Sequence, residues 1–314
     1  MEHLVTLFFY TKTNINIIVK NWIRICSIDF GWINEFNKMI IQYVKYIYFC
    51  KINNYGVTSV NFSPDETKIV SSSWDKTIKI WDIKSGKETI TLTGHHDQID
   101  CVQFSLNGDM LNKKFTIYSN VTCVDFSPDG NIIISGSLDK IIRLWDINSG
   151  TKIKELEGHS KGITDVKFSP NGQFIASSSF DAIIIIWDVK SGEKIKELTG
   201  HSDNVQKARF SLNGHNIISC SSDNTIRIWD IITGKELKQF NIFSDAVRCV
   251  QLFSDCQTIV SGSNDNTLRL CDVKSGRELQ ILRGHTDYVI GVDCSRNGSI
   301  IVSSSHDNTI RLWI

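Results

Sequence analysis

Trp145, Trp187, Trp229, Cys271 and Trp313 stand at a constant interval of 42 residues, and Trp81 holds the same place 64 residues before Trp145. A period of this length, kept in register, marks an array in which each unit is too small to bury its own apolar face and must stack on its neighbours. One copy reads as four short strands over residues 124–126, 132–137, 142–145 and 153–156. The separators carry turn chemistry. Pro64, Pro128 and Pro170 are the chain's only prolines, and each follows Phe-Ser between the first and second strands. Asp129-Gly130, Asn171-Gly172, Asn213-Gly214 and Asn297-Gly298 come next and supply the positive-φ residues that a tight hairpin needs. Gly86, Gly150, Gly192, Gly234 and Gly276 turn the third strand into the fourth. Closing such a stack into a ring removes its exposed ends.

Fixed offsets within the unit make the pattern specific. Gly94-His95, Gly158-His159, Gly200-His201 and Gly284-His285 open units, and Trp81-Asp82, Trp145-Asp146, Trp187-Asp188 and Trp229-Asp230 close them. An Asp precedes the Trp slot by six throughout: Asp75, Asp139, Asp181, Asp223, Asp265 and Asp307. His159, His201 and His285 each precede such an Asp by 22. Over residues 46–314 the chain resembles the WD40-repeat family. That resemblance implies an all-β β-propeller in which His, Asp, Trp and a second-strand Ser bond to one another. Complete sets are His159, Asp181 and Trp187; His201, Asp223 and Trp229; and His285, Asp307 and Trp313. They are read as structural, because a constellation repeated round a ring is unlike an active site. Buried indole N–H and carboxylate groups need partners, and an imidazole can join them. The units of Trp81, Trp145 and Cys271 lack the His, so a looser upper edge is expected there.

First strands starting near Val57, Ile99, Val121, Ile163, Val205, Val247 and Val289 give seven blade positions. The chain stops after a third strand, so residues 46–50 are expected to supply the last blade's fourth strand and close the ring. The second position is truncated: residues 99–105 read as a first strand, but about 20 residues carrying the second and third strands are missing before Lys113. Either the half-blade is real, or a stretch of about 20 codons is absent from the sequence, which long-read transcript sequencing decides.

Residues 1–54 differ in composition, with 11 of the chain's 31 aromatics, one glycine (Gly31) and a net charge of +3 against −3 for the rest. Ile15, Ile18, Val19, Trp22, Ile23 and Cys26, and then Trp32, Phe36, Met39, Ile40, Tyr43 and Ile47, recur at helical spacing. The domain reading is a helical extension over 1–45 and a propeller over 46–314. Glu2 ahead of a short apolar run is unlike a signal peptide, and charged residues interrupt every stretch long enough to span a membrane. Asp29-Phe30-Gly31 stands without any other kinase motif and is read as chance. Nine cysteines with no Cys-x-x-Cys pair, and no signal segment, point to free thiols in an intracellular setting, cytoplasmic or nuclear.

The chain carries no phosphate loop, nucleophile elbow or His-Glu-x-x-His, so it is read as a non-enzyme, with no catalytic residue, cofactor or metal. A net charge of zero argues against direct nucleic-acid binding. The expected function is a scaffold for peptides or partner domains; the alternative is a recruiting or scaffold subunit of a larger enzyme or RNA-processing complex. The candidate docking face is the end bearing the Gly-His loops. Trp74, Leu138, Phe180 and His306 precede the turn Asp there, while Tyr55 and Tyr288 lead into their blades. Aromatic anchors suit an interface; the other reading is that they only cover neighbouring blades. Ile185, where other units have Lys or Arg, is either buried strand or part of an apolar patch.

Overall fold

Short strands with β-branched residues, separated by Asn/Asp-Gly turns, form a propeller of six four-stranded antiparallel sheets. A computed structural model describes residues 46–51 as backbone and residues 55–93, 98–104 and 121–314 in full. The first blade holds β2 (Val57–Phe62), β3 (Lys68–Ser73), β4 (Ile78–Asp82) and β5 (Lys87–Leu92). The second holds β6 (Val121–Phe126), β7 (Ile132–Ser137), β8 (Ile141–Asp146) and β9 (Lys152–Glu157). The third is β10 (Ile163–Phe168), β11 (Phe174–Ser179), β12 (Ile183–Asp188) and β13 (Lys194–Thr199). The fourth is β14 (Val205–Phe210), β15 (Asn216–Ser221), β16 (Ile226–Asp230) and β17 (Glu236–Phe240). The fifth is β18 (Val247–Leu252), β19 (Thr258–Ser263), β20 (Thr267–Asp272) and β21 (Glu278–Arg283). The sixth has β22 (Val289–Cys294), β23 (Ile301–Ser305) and β24 (Thr309–Trp313), with β1 (Tyr46–Lys51) as its fourth strand, beside β24.

The inner hairpin of each blade contains a bulge. Pairing runs Ile163↔Ser179 and then Asp165↔Ser178, and the same slip recurs after Val57, Val121, Val205, Val247 and Val289. A bulge leaves one residue outside the ladder and re-aims its side chain. Here that residue ties blades together: Thr122 Oγ1 donates to Ile163 O at 2.7 Å, and Thr164 Oγ1 to Val205 O at 2.6 Å. Small second-strand residues let the sheets approach closely. Ser71–Ser73, Ser177–Ser179 and Ser303–Ser305 are all buried.

The core lies between blades. Leu156 of the second blade packs in one cluster with Ile175, Ile185 and Trp187 of the third, and Leu198 of the third with Ile217 and Trp229 of the fourth. Ile185 is therefore buried strand. Across the ring closure, Phe62 N donates to Asp293 Oδ2 at 3.0 Å, as Phe168 N does to Asp125 Oδ2 at 2.9 Å.

Among the described residues the sheets number six, which corrects the seven expected blade positions. Residues 98–104 belong to no sheet. Without a second strand beside it, the segment has no ladder to join. It still lies where an inner strand would: Thr58 Oγ1 donates to Ile99 O and Asn61 Nδ2 to Val102 O, both at 2.6 Å, and Val102 and Phe104 pack on Val70 and Ile80. The helices expected over 1–45, together with Asn53, Gly94, His95 and the remainder of the truncated position, fall outside the described residues. Among the described residues no helix is long and apolar enough to cross a membrane.

Candidate protein-docking face

The upper edge of three blades is pinned by one hydrogen-bonded chain. In the third blade Trp187 Nε1 donates to Ser177 Oγ at 2.8 Å, and Ser177 Oγ lies 2.7 Å from His159 Nε2. His159 Nδ1 lies 2.9 Å from Asp181 Oδ2, which also accepts from Ser160 N. With a neutral imidazole the donor and acceptor roles close one way. The carboxylate accepts from Nδ1–H, so Nε2 is the bare nitrogen and accepts from the serine hydroxyl, which itself accepts from the indole. His201, Ser219, Asp223 and Trp229 repeat the chain, as do His285, Ser303, Asp307 and Trp313. Burial opposes ionisation of Asp181, but the hydrogen bonds from His159 and from the Ser160 N–H hold its pKa down to about 2. Burial, with the Arg311 charge, pushes His285 below its ordinary value against the pull of Asp307.

In two blades that lack the histidine, the second and the fifth, arginine takes over the carboxylate. In the fifth blade Phe243 occupies the His slot and Cys271 the Trp slot. Arg269 Nη2 donates to Asp265 at 2.9 Å, and the guanidinium lies 4.9 Å from the Phe243 ring centre. In the second blade Arg143 Nη1 donates to Asp139 at 2.7 Å. In the His-bearing blades the equivalent Arg227 and Arg311 stand 3.9 Å from their Asp. The looser edge expected at the second and fifth blades is thus replaced by an ion pair.

The candidate docking residues Trp74, Leu138, Phe180 and His306 stand directly before Asp75, Asp139, Asp181 and Asp307. Trp74 N donates to Gly56 O at 3.2 Å, and His306 N to Tyr288 O at 3.0 Å. His306 crosses from the sixth blade to the first, packing over Gly56, where an added Cβ would lie 3.1 Å from its ring. Its ring centre is 4.6 Å from that of Trp74 and 5.8 Å from that of Tyr288. Tyr288 is 40% exposed, and Tyr55, beside Gly56, is 60% exposed. Trp74, Tyr288 and His306 therefore form one aromatic cluster over the ring closure, with Tyr55 next to it in the chain.

Leu138 and Phe180 repeat that relation at a different junction. Leu138 packs over Gly162, and Phe180 N donates to Gly162 O at 3.0 Å. They flank the same glycine between the second and third blades but are not part of the aromatic cluster. Sequence reasoning passed over Arg248 and Asp287, whose charges act on His306: burial and Arg248 lower its pKa, and Asp287 opposes them. Arg248 Nε donates to Asn264 Oδ1 at 2.8 Å. The signal was available, because Arg248 fills the slot held by Thr122, Thr164 and Gln206 at the same 42-residue spacing.

Among the described residues no group of three or more His, Cys, Asp or Glu is arranged to hold a metal ion. The inner strands carry a mixed charge network rather than one sign. Lys167 Nζ reaches Asp125 and Gln103, both at 2.8 Å, and Asp165 pairs with Arg209 and, at 3.6 Å, with Lys207.

The sequence profile of the WD domain, G-beta repeat, matches residues 45–82 and 276–313, and that of the IFT122 first beta-propeller matches residues 120–270. Among curated proteins the chain is similar to transcription initiation factor TFIID subunit 5 of Caenorhabditis elegans, 28% identical over 34% of this chain and 19% of that protein. It is also similar to pre-mRNA-processing factor 19 of Bos taurus, 27% identical over 33% of this chain and 25% of the relative. Autophagy-related protein 16 of Arabidopsis thaliana is 32% identical over 32% of this chain and 23% of its own length. The likeness thus spans at most a quarter of each of these relatives. With repeats, sheets and the His–Ser–Trp–Asp networks in agreement, the chain belongs to the WD40-repeat family of β-propellers.

Proposed function

We propose that the protein is a non-catalytic scaffold that docks a peptide or partner domain on the aromatic cluster of Trp74, Tyr288 and His306, with the adjoining Tyr55. The observation that carries this reading is the set of half-exposed rings gathered over one blade junction, held by backbone bonds to Gly56 and Tyr288. Rigid aromatics offer large contact area at little entropic cost, and they dominate the energetics of protein interfaces. The His, Asp and Trp sets serve as the frame beneath this face. Leu138 and Phe180 form a second, smaller contact at their own junction.

Affinity purification with mass spectrometry tests the assignment, comparing the wild-type chain with a Trp74→Ala, Tyr288→Ala double variant. Loss of the co-purifying proteins supports it, and an unchanged set overturns it. A second reading, membership of a larger enzyme or RNA-processing complex, draws support from relatives whose names place them in transcription initiation and pre-mRNA processing. Co-migration of the native protein with a large assembly on size exclusion would favour that reading.

A further inference from the structure

We propose that the edge of the junction between the third and fourth blades, at the strand ends opposite the aromatic cluster, is a second docking site, which takes a short peptide segment of a partner protein bearing two large apolar side chains and a carboxylate. A groove of about 610 Å³ opens there. Its floor is rigid: Ile186 is 1% exposed, and Ile231 packs on the cluster that joins the two blades. Two of its walls break the repeat. Ile232 stands in the turn position that Lys84, Asn148, Lys190 and Lys274 hold in other blades, and Leu212 in the position of Pro64, Pro128, Pro170, Ser254 and Arg296. Ile232 is 75% exposed, the most of any large apolar residue described, and Leu212 is 58% exposed. Ile195 completes the apolar rim, although its slot is also apolar and exposed at Ile153, Leu237 and Leu279. Both departures from the repeat thus fall on one groove, where they bury little in the folded chain and leave contact area for a partner.

The walls are preorganised. Asp230 Oδ1 accepts from Thr233 N at 2.6 Å and from Thr233 Oγ1 at 2.7 Å, which fixes the turn that carries Ile232. Asn213 Oδ1 accepts from Ser211 Oγ at 2.6 Å and from His215 N at 3.1 Å, which fixes the turn that carries Leu212. Side chains held this way lose little entropy when a partner covers them. Charge selects the occupant. Among the described residues, the ionisable side chains lining the groove are Lys196 and His215, both basic. Lys196 donates one of its three N–H groups to Ile232 O, which sets the ammonium at the rim. Neighbouring acids are engaged: Asp230 and Asp188 cap their turns through Thr233 and Ser191, and Glu197 pairs with Lys194 at 2.6 Å. A carboxylate beside two apolar anchors is the chemistry that complements such a rim. A second copy of this chain is a poor occupant, because a two-fold contact through the groove would set Lys196 and His215 against themselves.

The probe is a phage-displayed library of random peptides of about twelve residues, selected on the full-length protein. Counter-selection uses a Leu212→Pro, Ile232→Lys double variant, which carries the third blade's residues at those positions and should keep the circular dichroism spectrum. That step removes peptides bound anywhere else, the aromatic cluster included. Recovered peptides are expected to share two apolar residues and at least one Asp or Glu. The synthetic consensus peptide should bind the wild type saturably by fluorescence anisotropy, about tenfold or more tighter than the double variant. Raising salt from about 0.05 to about 0.5 M should weaken it severalfold. Leu279→Lys, at an apolar position exposed elsewhere on the ring, should leave binding unchanged. The proposal is overturned by the lack of any enriched family, by a family without acidic residues, by equal binding to the double variant, or by indifference to salt. It is also overturned by a concentration-dependent dimer that the double variant abolishes, or by a cross-link from a benzophenone on Ile232→Cys to residues 1–45 of the same chain. Either result would assign the groove to this chain itself.

Discussion

Arg269 Nη2 donates to Asp265 Oδ2 at 2.9 Å, taking up a carboxylate that histidine holds in the third, fourth and sixth blades. The same arginine bonds Ile242 O at 2.7 Å and Glu278 at 2.8 Å. A guanidinium in the place of the imidazole makes its blade depend on the third-strand basic residue. Arg269→Leu is therefore expected to cost about 1–3 kcal/mol by leaving Asp265 without its cation. Arg227→Leu, in a blade where His201 holds Asp223, loses mainly the Glu236 pair and should cost well under that. Urea denaturation of the two variants compares them, and equal losses would contradict the substitution of roles.

The third blade offers the converse test, because Ile185 stands where the other blades carry the basic residue. His159→Phe, copying Phe243 of the fifth blade, strands Asp181 with no cation in reach, for an expected loss of about 2–4 kcal/mol. Adding Ile185→Arg should restore part of that stability in the His159→Phe background and none in the wild type, where burying an arginine in place of Ile185 is harmful. A double-mutant cycle by chemical denaturation measures the coupling.

Stability should fall with acid in two stages of the same sign. His285 has a folded pKa below its ordinary 6.5, so the unfolded chain takes up the proton more readily and stability declines as pH drops through 6.5. The carboxylates are also depressed. Asp181, held at about 2 against an ordinary 3.8, contributes stability above 3.8 that is lost as pH falls toward 2, and Asp223 and Asp307 shift the same way. A urea midpoint that is level above pH 7 and declines from about 6.5 is expected, with His285→Gln flattening the upper stage. A midpoint rising on acidification would refute this.

Thiol reactivity should report the blade interiors. Burial pushes the Cys123 and Cys249 thiols up to about 12, and each packs against a cross-strand glycine, Gly136 or Gly262. Cys256 sits in a partly exposed turn. Mass spectrometry after timed alkylation at neutral pH should find Cys256 modified in the native protein, and Cys123 and Cys249 only after unfolding. The glycines follow the same packing. A Cβ on Gly136 would lie 2.6 Å from Ile163 Cγ2 and 2.7 Å from Cys123 Sγ, so Gly136→Ala should cost about 1–3 kcal/mol.

The 42-residue register and the turn glycines made the sheets legible in the chain itself, and the resemblance to WD40 repeats, carried by the offsets of His, Asp and Trp, implied the three buried networks. These features repeat because each blade solves the same local problem of hairpin geometry and buried hydrogen bonding. Residues 46–50 were expected to be the closing strand, and β1 (Tyr46–Lys51) lies beside β24. The number of blades was not readable. Residues 98–104 have the apolar pattern of a strand, but a strand exists only where a neighbour completes its ladder, and that is decided in three dimensions. The exchange of Arg269 or Arg143 for histidine depends on side-chain reach rather than on spacing. The meeting of Trp74 with His306 depends on ring closure, which brings together the first and last blades of the chain. Local periodicity specified the parts, and tertiary contact between distant blades decided which side chains share a surface.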